Sequence, residues 1–162
     1  MDGEVRRGSE DTGAKLELET FMPYRLNVLA AVVSQGLSGI YAERYGIGVP
    51  EWRVIATLGQ FGSRTAKEIG AHSHMHKTKV SRAVAILEER GLVRRRANRQ
   101  DMREAFLSLT AAGRAIYDDL VPIALTFVTE LTDCLDLGER AALDTLITKL
   151  TARAQQLLDA GG

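Results

Sequence analysis

The sequence predicts a mainly helical α+β fold, in the element order α-α-α-α-β-β-α-α. Two observations lead to this fold class. Apolar residues recur every three or four positions over most of the chain, which is typical of amphipathic helices. Only the stretch after Gly91 changes to the alternating pattern of short strands. With 162 residues, 45% of them hydrophobic, the chain is long enough for one buried core.

The chain begins with a polar segment and a long helix. Residues 1–15 carry charges and glycines without a hydrophobic period, so we expect a mobile tail. Residues 16–49 are expected to form one helix, about 21–45, because apolar residues from Leu26 to Ile40 are three or four positions apart. Glycines follow this helix and end it.

The middle of the chain, residues 50–109, is predicted to consist of short elements. The expected elements are helices at about 50–61, 65–71 and 76–90 and strands at 92–96 and 104–109. Pro50 stands in the favoured first turn of its helix. Thr65 and Glu68 have the spacing of a capping box, and Gly91 ends the helix before the strands.

Residues 110–162 are predicted to form two further helices, about 110–133 and 136–158, which begin at Thr110 and Asp136. Each carries an apolar stripe, as does the helix at 21–45. A single chain would leave part of these stripes exposed to water. Residues 16–49 and 110–162 are therefore predicted to be dimerisation helices of a homodimer.

The formal net charge is zero, but the charges are unevenly distributed. Between Arg64 and Arg103 there are eleven Lys and Arg residues and four acids, a net charge of +7, and the rest of the chain carries −7. A concentrated basic segment indicates a polyanionic partner, most simply nucleic acid. A solvated basic surface without a partner would have the same charge count. The charge alone therefore does not distinguish these two interpretations, and the pattern of residues is needed.

Two short helices, a tight break, a third helix and a basic hairpin make a winged helix-turn-helix, with 76–90 as its recognition helix. Val80, Val84 and Leu87 share one face of this helix and are expected to pack inward. The opposite face offers hydroxyls, an arginine that could bind guanine and a small Ala85, with lysines for phosphates. The predicted DNA contacts on this helix are Lys77, Thr78, Lys79, Ser81 and Arg82.

The hairpin after the recognition helix is rich in arginine and has one acid, Asp101, in its turn. Arginine on a narrow wing can enter the minor groove or bind phosphates. Asp101 is two residues from Arg103 and is expected to hold its guanidinium by a bidentate pair. The predicted DNA-binding residues of the hairpin are Arg96, Arg99, Asp101 and Arg103.

Two motifs stand out in this region. One is the run from Val80 to Val84 with Leu87-Glu88-Glu89-Arg90-Gly91-Leu92-Val93, and the other is Asp101-Met102-Arg103 with Leu107-Ser108-Leu109-Thr110-Ala111-Ala112-Gly113. Both resemble motifs of the MarR family of bacterial winged-helix regulators. The family often has an arginine where Met102 stands. The resemblance covers about residues 22–158. It implies a homodimer, a palindromic DNA operator, repression as the default state and release by a small molecule.

The resemblance also implies where a ligand would bind, because the family's ligand usually lies between the dimerisation helices and the DNA-reading module. In this chain the corresponding residues are Tyr24, Arg25, Asn27, Tyr41, Trp52, Arg53 and Phe61. Rings could stack on a planar ligand, and an arginine could pair with a carboxylate. We therefore expect a phenolic, benzoic or cinnamic-type acid as effector. The alternative is that the aromatic residues are ordinary core and that the arginines pair with nearby glutamates.

Three other functions remain as alternatives. His72, His74 and His76 stand at alternate positions and could make the protein a metal-responsive regulator. Cys134 could be a redox sensor, although we expect a buried or semi-buried structural thiol there. An enzyme is not expected, because the chain lacks the common nucleophile, phosphate-binding and metalloprotease motifs. No cofactor is expected.

The sequence also predicts the compartment. No run approaches 18 consecutive apolar residues, so no membrane span or membrane partner is expected. The N-terminus lacks the apolar segment of a secretory signal, and one cysteine cannot form an internal disulfide. These features favour a cytoplasmic protein.

Overall fold

The computed structural model describes residues 15–97 and 104–161. The helices are α1 (Met22–Tyr45), α2 (Val49–Phe61), α3 (Ala66–Ser73), α4 (Lys77–Glu89), α5 (Ala111–Leu131) and α6 (Leu137–Ala160), and the strands are β1 (Arg64–Thr65), β2 (Val93–Ala97) and β3 (Ala105–Leu109). The predicted mainly helical winged-helix fold is confirmed. None of the helices in these two ranges is long and apolar enough to cross a membrane.

The chain divides into two compact units, and the boundary lies within α1, between Gly36 and Leu37. In the first unit, the amide of Phe21 donates to the carbonyl of Glu17 just before α1 begins. The large apolar side chains of this unit are mostly exposed, namely Leu16, Leu18, Phe21, Met22, Tyr24, Leu26, Val28, Leu29 and Val32. The remaining elements belong to the second unit.

The helices of the second unit begin where side chains satisfy their first free amides. The amide of Glu68 donates to the Thr65 hydroxyl (3.3 Å), and the amide of Thr65 donates to the Glu68 carboxylate (2.7 Å). This reciprocal pair confirms the predicted capping box. Thr110 caps α5 by accepting from the amide of Gly113 (3.1 Å), and Asp136 caps α6 by accepting from the amide of Glu139 (2.8 Å).

The core of the second unit lies where α2, α3 and α4 meet beneath the sheet. Its most completely buried large side chains are Ile47, Val54, Ile55, Leu58, Ile69, Val80, Val84, Leu87 and Leu107. They come from three helices, a strand and the connection before α2, so these elements are fixed to each other by one apolar interior. This packing fixes the position of α4 and of the hairpin.

The sheet has three antiparallel strands in the order β1-β3-β2. Leu107 of β3 lies opposite Arg95 of β2 on one side and Arg64 of β1 on the other. The sequence predicted β2 and β3 but missed β1. A two-residue strand shows no alternation, and pairing with β3, more than forty residues away, is what makes these two residues a strand.

Candidate nucleic-acid interface

Helix α4 is held in place at its first residue and along one face. Its N-cap is His76, whose Nδ1 accepts from the amide of Thr78 at 3.4 Å. Val80, Val84 and Leu87 are buried, as predicted, and Ala83 is buried with them. Because these side chains occupy one side of the helix, the other side necessarily faces outward.

The outward face of α4 carries the residues that were predicted to contact DNA. Thr78, Ser81, Arg82 and Ala85 are all exposed. The Arg82 guanidinium makes no hydrogen bond or ion pair with any residue that the structure describes. Lys77 and Lys79 are also exposed, and their ammonium groups likewise have no partner among the described residues. This face therefore offers three cations to an external polyanion.

The described arginines of the wing all lie on β2, and they have two roles. In β2, Arg95 makes two hydrogen bonds of 3.0 Å with the Glu88 carboxylate at the end of α4. Arg94 donates to the hydroxyl of Ser108 on β3 (3.1 Å). Arg96 is exposed and makes no such bond with the described residues. Arg99, Asp101 and Arg103, which were also predicted to bind DNA, lie outside the described residues.

Several cations of the basic segment are thus bound within the protein. Arg90 donates to the carbonyls of Tyr45 (2.6 Å) and Gly46 (3.2 Å), and Arg64 donates to the carbonyl of Ser63 (2.8 Å). The bond to Glu88 raises the pKa of Arg95, which is the expected effect of a carboxylate partner. The net charge of +7 therefore overstates the number of cations that are available to a partner.

The predicted ligand residues of the second unit gather around an open cavity of about 390 Å³. Trp52, Arg53 and Phe61 line it. Tyr41 is buried and stacks on Trp52, with ring centroids 5.8 Å apart, and burial raises the pKa of its hydroxyl. Tyr41 is therefore a core residue, as the alternative interpretation held, and it supports the Trp52 ring.

His72 also lines this cavity, although the sequence did not predict it there. Its ring stacks on Phe61, with centroids 4.4 Å apart and planes 18° from parallel. The capping box at Thr65 starts α3 and brings His72 back over the end of α2, a contact that the positions in the sequence do not reveal. The remaining predicted ligand residues, Tyr24, Arg25 and Asn27, are exposed in the first unit.

Arg53 lies between this cavity and a second one, of about 570 Å³, at the start of α4. The second cavity is lined in part by His76, Lys79 and Arg82. Among the described residues, only Arg53 lines both cavities. Its guanidinium donates to the carbonyl of Ser73, the last residue of α3, at 3.4 Å. It forms no ion pair with a described glutamate, contrary to the alternative interpretation.

The three histidines proposed as metal ligands have separate positions. His72 stacks on Phe61, His76 caps α4, and His74 has a left-handed backbone (φ 50°) that ends α3. Within residues 15–97 and 104–161, no three or more His, Cys, Asp and Glu side chains are grouped to hold a metal ion. Cys134 is exposed, so the expectation of a buried or semi-buried thiol was wrong. It lies in the short connection after α5, which the core does not cover.

A recognition helix with exposed outward cations, followed by a basic β-wing, defines a winged helix-turn-helix protein. Residues 45–104 match the sequence model of the MarR family. YwoH of Bacillus subtilis strain 168, an HTH-type transcriptional regulator, is 33% identical over 89 residues, which are 55% of this chain. The chain spans 64% of that relative's length.

Solved structures agree with the sequence comparison. A MarR/EmrR family transcriptional regulator from Acinetobacter sp. ADP1 is similar with a TM-score of 0.79 and 26% identity, over 87% of this chain and 99% of that one. BpsR of Bordetella bronchiseptica, whose DNA binding is regulated by 6-hydroxynicotinic acid, has the same fold, with a TM-score of 0.67 and 20% identity over 78% of this chain and 98% of that one. This chain is thus similar to MarR family transcriptional regulators in the sequence of residues 45–104 and in its fold.

Proposed function

We propose that this protein binds double-stranded DNA through α4 and the wing and thereby represses transcription. The observation that carries this proposal is the outward face of α4. There Arg82, Lys77 and Lys79 are exposed without a partner among the described residues, while the opposite face is buried in the core. Opposite charges three or four residues apart stabilise a surface helix, yet α4 has no acid before Glu88 to pair with these cations.

The side chains of α4 suit the major groove. Arg82 presents a planar fork of donors that can bind the O6 and N7 atoms of guanine together. The hydroxyls of Thr78 and Ser81 can donate to or accept from either kind of base edge, and the small Ala85 allows a close approach. Lys77 and Lys79 flank this face and neutralise phosphates.

The wing extends the same surface. Arg96 is exposed on β2, its guanidinium has no partner among the described residues, and it suits a phosphate or the minor groove. We expect Arg99 and Arg103 to act with it and Asp101 to orient Arg103. Residues 50–109 would then form the DNA-reading region.

Two copies of the chain are needed for tight operator binding, because one module reads too few bases. We propose that residues 16–49 and 110–162 form the dimer. In support, no described residue of α6 is buried, although Leu143, Leu146 and Leu150 follow one another along it. A two-fold pair would place two α4 helices about 34 Å apart, one turn of B-DNA, and would bind a palindrome.

We further propose that a small aromatic acid, phenolic or benzoic to cinnamic in type, releases the repressor. The cavity at Trp52 and Phe61 offers aromatic faces, and Arg53 can bind a carboxylate. A carboxylate would compete with the neutral carbonyl of Ser73 for the Arg53 guanidinium, since charge-assisted hydrogen bonds are stronger. The loosened turn leads directly into the N-cap of α4. BpsR indicates that this fold can respond to an aromatic acid.

The DNA part of the proposal is tested on operators selected from a random pool. Arg82→Ala is expected to cost about 1–3 kcal/mol of binding free energy and to relax discrimination at one base position per half-site. Arg82→Lys is the matched control, because it keeps the charge but loses the bidentate fork. It should keep the salt dependence and still lose discrimination. Unchanged operator affinity of Arg82→Ala in a mobility-shift titration would contradict this orientation of α4.

The effector part is tested with Trp52, the only tryptophan of the chain. A panel of phenolic, benzoic and cinnamic acids is titrated while indole fluorescence and operator binding are followed. A ligand in the cavity should quench the indole and release DNA. Arg53→Gln should weaken operator binding without ligand, because the hydrogen bond to Ser73 is lost. A ligand that saturates the quenching should then cause a smaller further release of DNA than in the wild type. Acids that neither quench nor release at millimolar concentration would rule out this class of effector.

A further inference from the structure

The end of α1 is a junction at which three helices are joined by hydrogen bonds. From the C-terminal end of α4, the Arg90 guanidinium donates to the carbonyls of Tyr45 (2.6 Å) and Gly46 (3.2 Å). From α5, the Asp119 carboxylate accepts from the Tyr45 hydroxyl and from the Arg44 guanidinium, both at 2.8 Å. All five residues belong to the second unit. None of them was predicted from the sequence to act in DNA binding.

The chemistry of the junction suits its position. The last carbonyls of a helix have no amide partner within the helix, and they carry the negative end of its dipole. A guanidinium that binds two carbonyls there satisfies them with a full positive charge. Gly46 has a left-handed backbone (φ 60°), which turns the chain away and leaves the carbonyls accessible to Arg90.

We propose that Arg90, Tyr45 and Asp119 are positioning residues for DNA binding, which fix the direction of the recognition helix α4 relative to α5 and the end of α1. The inference rests on the proposed DNA binding by α4. The buried face of α4 is apolar, and apolar packing has no directional preference that would prevent a small rotation. Hydrogen bonds are directional, and those of Arg90 attach the end of α4 to the end of α1.

The orientation of α4 matters most in a dimer, because two recognition helices must meet two half-sites at one fixed separation. A rotation of α4 at the junction of each protomer would shift both recognition helices and so alter the separation between them. Arg44 and Asp119 are both about half exposed, at 52% and 42% of the side chain, so their ion pair contributes little to the stability of the fold. The junction is therefore expected to affect the geometry of binding more than the folding of the chain.

The test compares variants on three kinds of DNA duplex, namely the selected operator, operators with the half-site spacing changed by one base pair, and random sequence. Arg90→Gln, Tyr45→Phe and Asp119→Asn are the variants. Lys15→Gln is the control for the loss of one positive charge, since Lys15 is exposed and lies outside the regions proposed to bind DNA or to form the dimer. Circular dichroism and thermal melting establish that each variant is folded.

We expect Arg90→Gln to weaken operator binding by up to about tenfold, because α4 must then be oriented when DNA binds, at a cost of no more than that of the lost hydrogen bonds. Binding to random sequence and its salt dependence should stay unchanged, because Arg90 is bound to carbonyls and not to a phosphate. Discrimination against altered spacing should decrease in all three variants, and Arg90→Lys should restore part of it. A residue that only stabilises the fold would not alter the preference for spacing.

Several results would overturn the proposal. An unchanged preference for half-site spacing in both Arg90→Gln and Tyr45→Phe would contradict it. Tyr45→Phe removes only one hydroxyl, so it can test the proposal alone if Arg90→Gln does not fold. Weaker binding to random sequence, with a salt slope lowered by about one, would instead show that Arg90 binds a phosphate. If the wild type bound no duplex at all, the proposed function would fail, and this inference would fail with it.

Discussion

At the scale of single residues, charge in the sequence and charge available to a partner are different quantities. The basic segment has eleven cations, and the sequence cannot tell which of them are paired. Arg95 and Arg96 are neighbours in one strand, yet Arg95 binds Glu88 while Arg96 has no bond to the described residues. The difference arises because successive side chains of a strand point to opposite faces. The sequence predicted a DNA contact for Arg96, but it could not predict the partner of Arg95.

This difference predicts how the two arginines affect the salt dependence of DNA binding. Arg96→Ala should lower the slope of log affinity against log salt concentration by about one, if its guanidinium neutralises one phosphate. Arg95→Ala should leave that slope nearly unchanged, because its guanidinium is already bound to a carboxylate. Affinity for random-sequence duplex is measured over a range of salt concentrations. Equal decreases in slope for both variants would contradict the assignment.

The pKa of Asp119 gives a prediction on pH. It lies below the ordinary value, chiefly because the carboxylate accepts from the Tyr45 hydroxyl and also because it accepts from Arg44. A lowered pKa in the folded state means that the stabilisation is complete above the ordinary aspartate pKa, about 3.9, and is lost as the pH falls through the lowered value.

The melting temperature of the wild type should therefore exceed that of Asp119→Asn at neutral pH, by a small amount because the residue is exposed. The difference should persist down to about pH 5 and disappear at lower pH. Thermal melts of both proteins across this range are the measurement. A difference that stays constant down to the lowest pH would exclude the carboxylate as its source.

At the scale of secondary structure, most helices were predictable because their ends carry local signals. The helix predicted at 76–90 runs from Lys77 to Glu89, and its predicted buried residues are buried. Thr65, Thr110 and Asp136 act as predicted caps. What could not be predicted depends on distant contacts. β1 forms because it pairs with β3. His72 stacks on Phe61 and lines the same cavity as Trp52 because α3 packs against α2.

The start of α5 also depends on a distant contact, at Gly113. This residue is buried, and an added Cβ would overlap the carbonyl oxygen of Leu92. That carbonyl accepts from the amide of Thr110, so it cannot move without loss of a hydrogen bond. Gly113→Ala is therefore expected to lower the free energy of unfolding by about 1–3 kcal/mol, the usual cost of overpacking.

Denaturant unfolding of Gly113→Ala measures this effect. Gly39→Ala in α1 is the control, because beyond its chain neighbours and the nearby backbone of its own helix a Cβ there meets no described atom within 4 Å. It should stabilise the helix by up to about 1 kcal/mol, the difference between the two residues in helix propensity. A variant at Gly113 as stable as the wild type would mean that α5 can move away from Leu92.

At the scale of the whole molecule, the apolar stripes that the sequence indicated are present and uncovered. In α5, Leu125, Val128 and Leu131 are exposed, and α6 has no buried residue in its 24 described positions. Water-exposed rows of leucine of this length are unusual in a monomer and mark an interface. The stripes were predictable from their period, but a surface that would cover them in a dimer is not encoded in any local pattern.

A dimer through these helices predicts the response to substitutions on α6. Leu146 and Leu150 are 55% and 45% exposed in one chain, and they would be buried in the pair. Replacing both with Glu should shift the protein from dimer to monomer in sedimentation at micromolar concentration, because unpaired charges would enter an apolar interface. Lys149→Glu changes a charge on the same helix and should leave the dimer intact. Deletion after Asp133 should give a monomeric or insoluble product.

Dissociation of the dimer should also abolish tight binding to a palindrome. Two linked recognition helices bind their half-sites together, because the second one binds at a high effective concentration once the first is in place. The monomer that results from the two Glu substitutions should therefore bind a single half-site as weakly as it binds the full palindrome. Mobility-shift titrations on both duplexes measure the two affinities. A stable monomer that still bound the palindrome tightly would show that operator recognition does not depend on this interface.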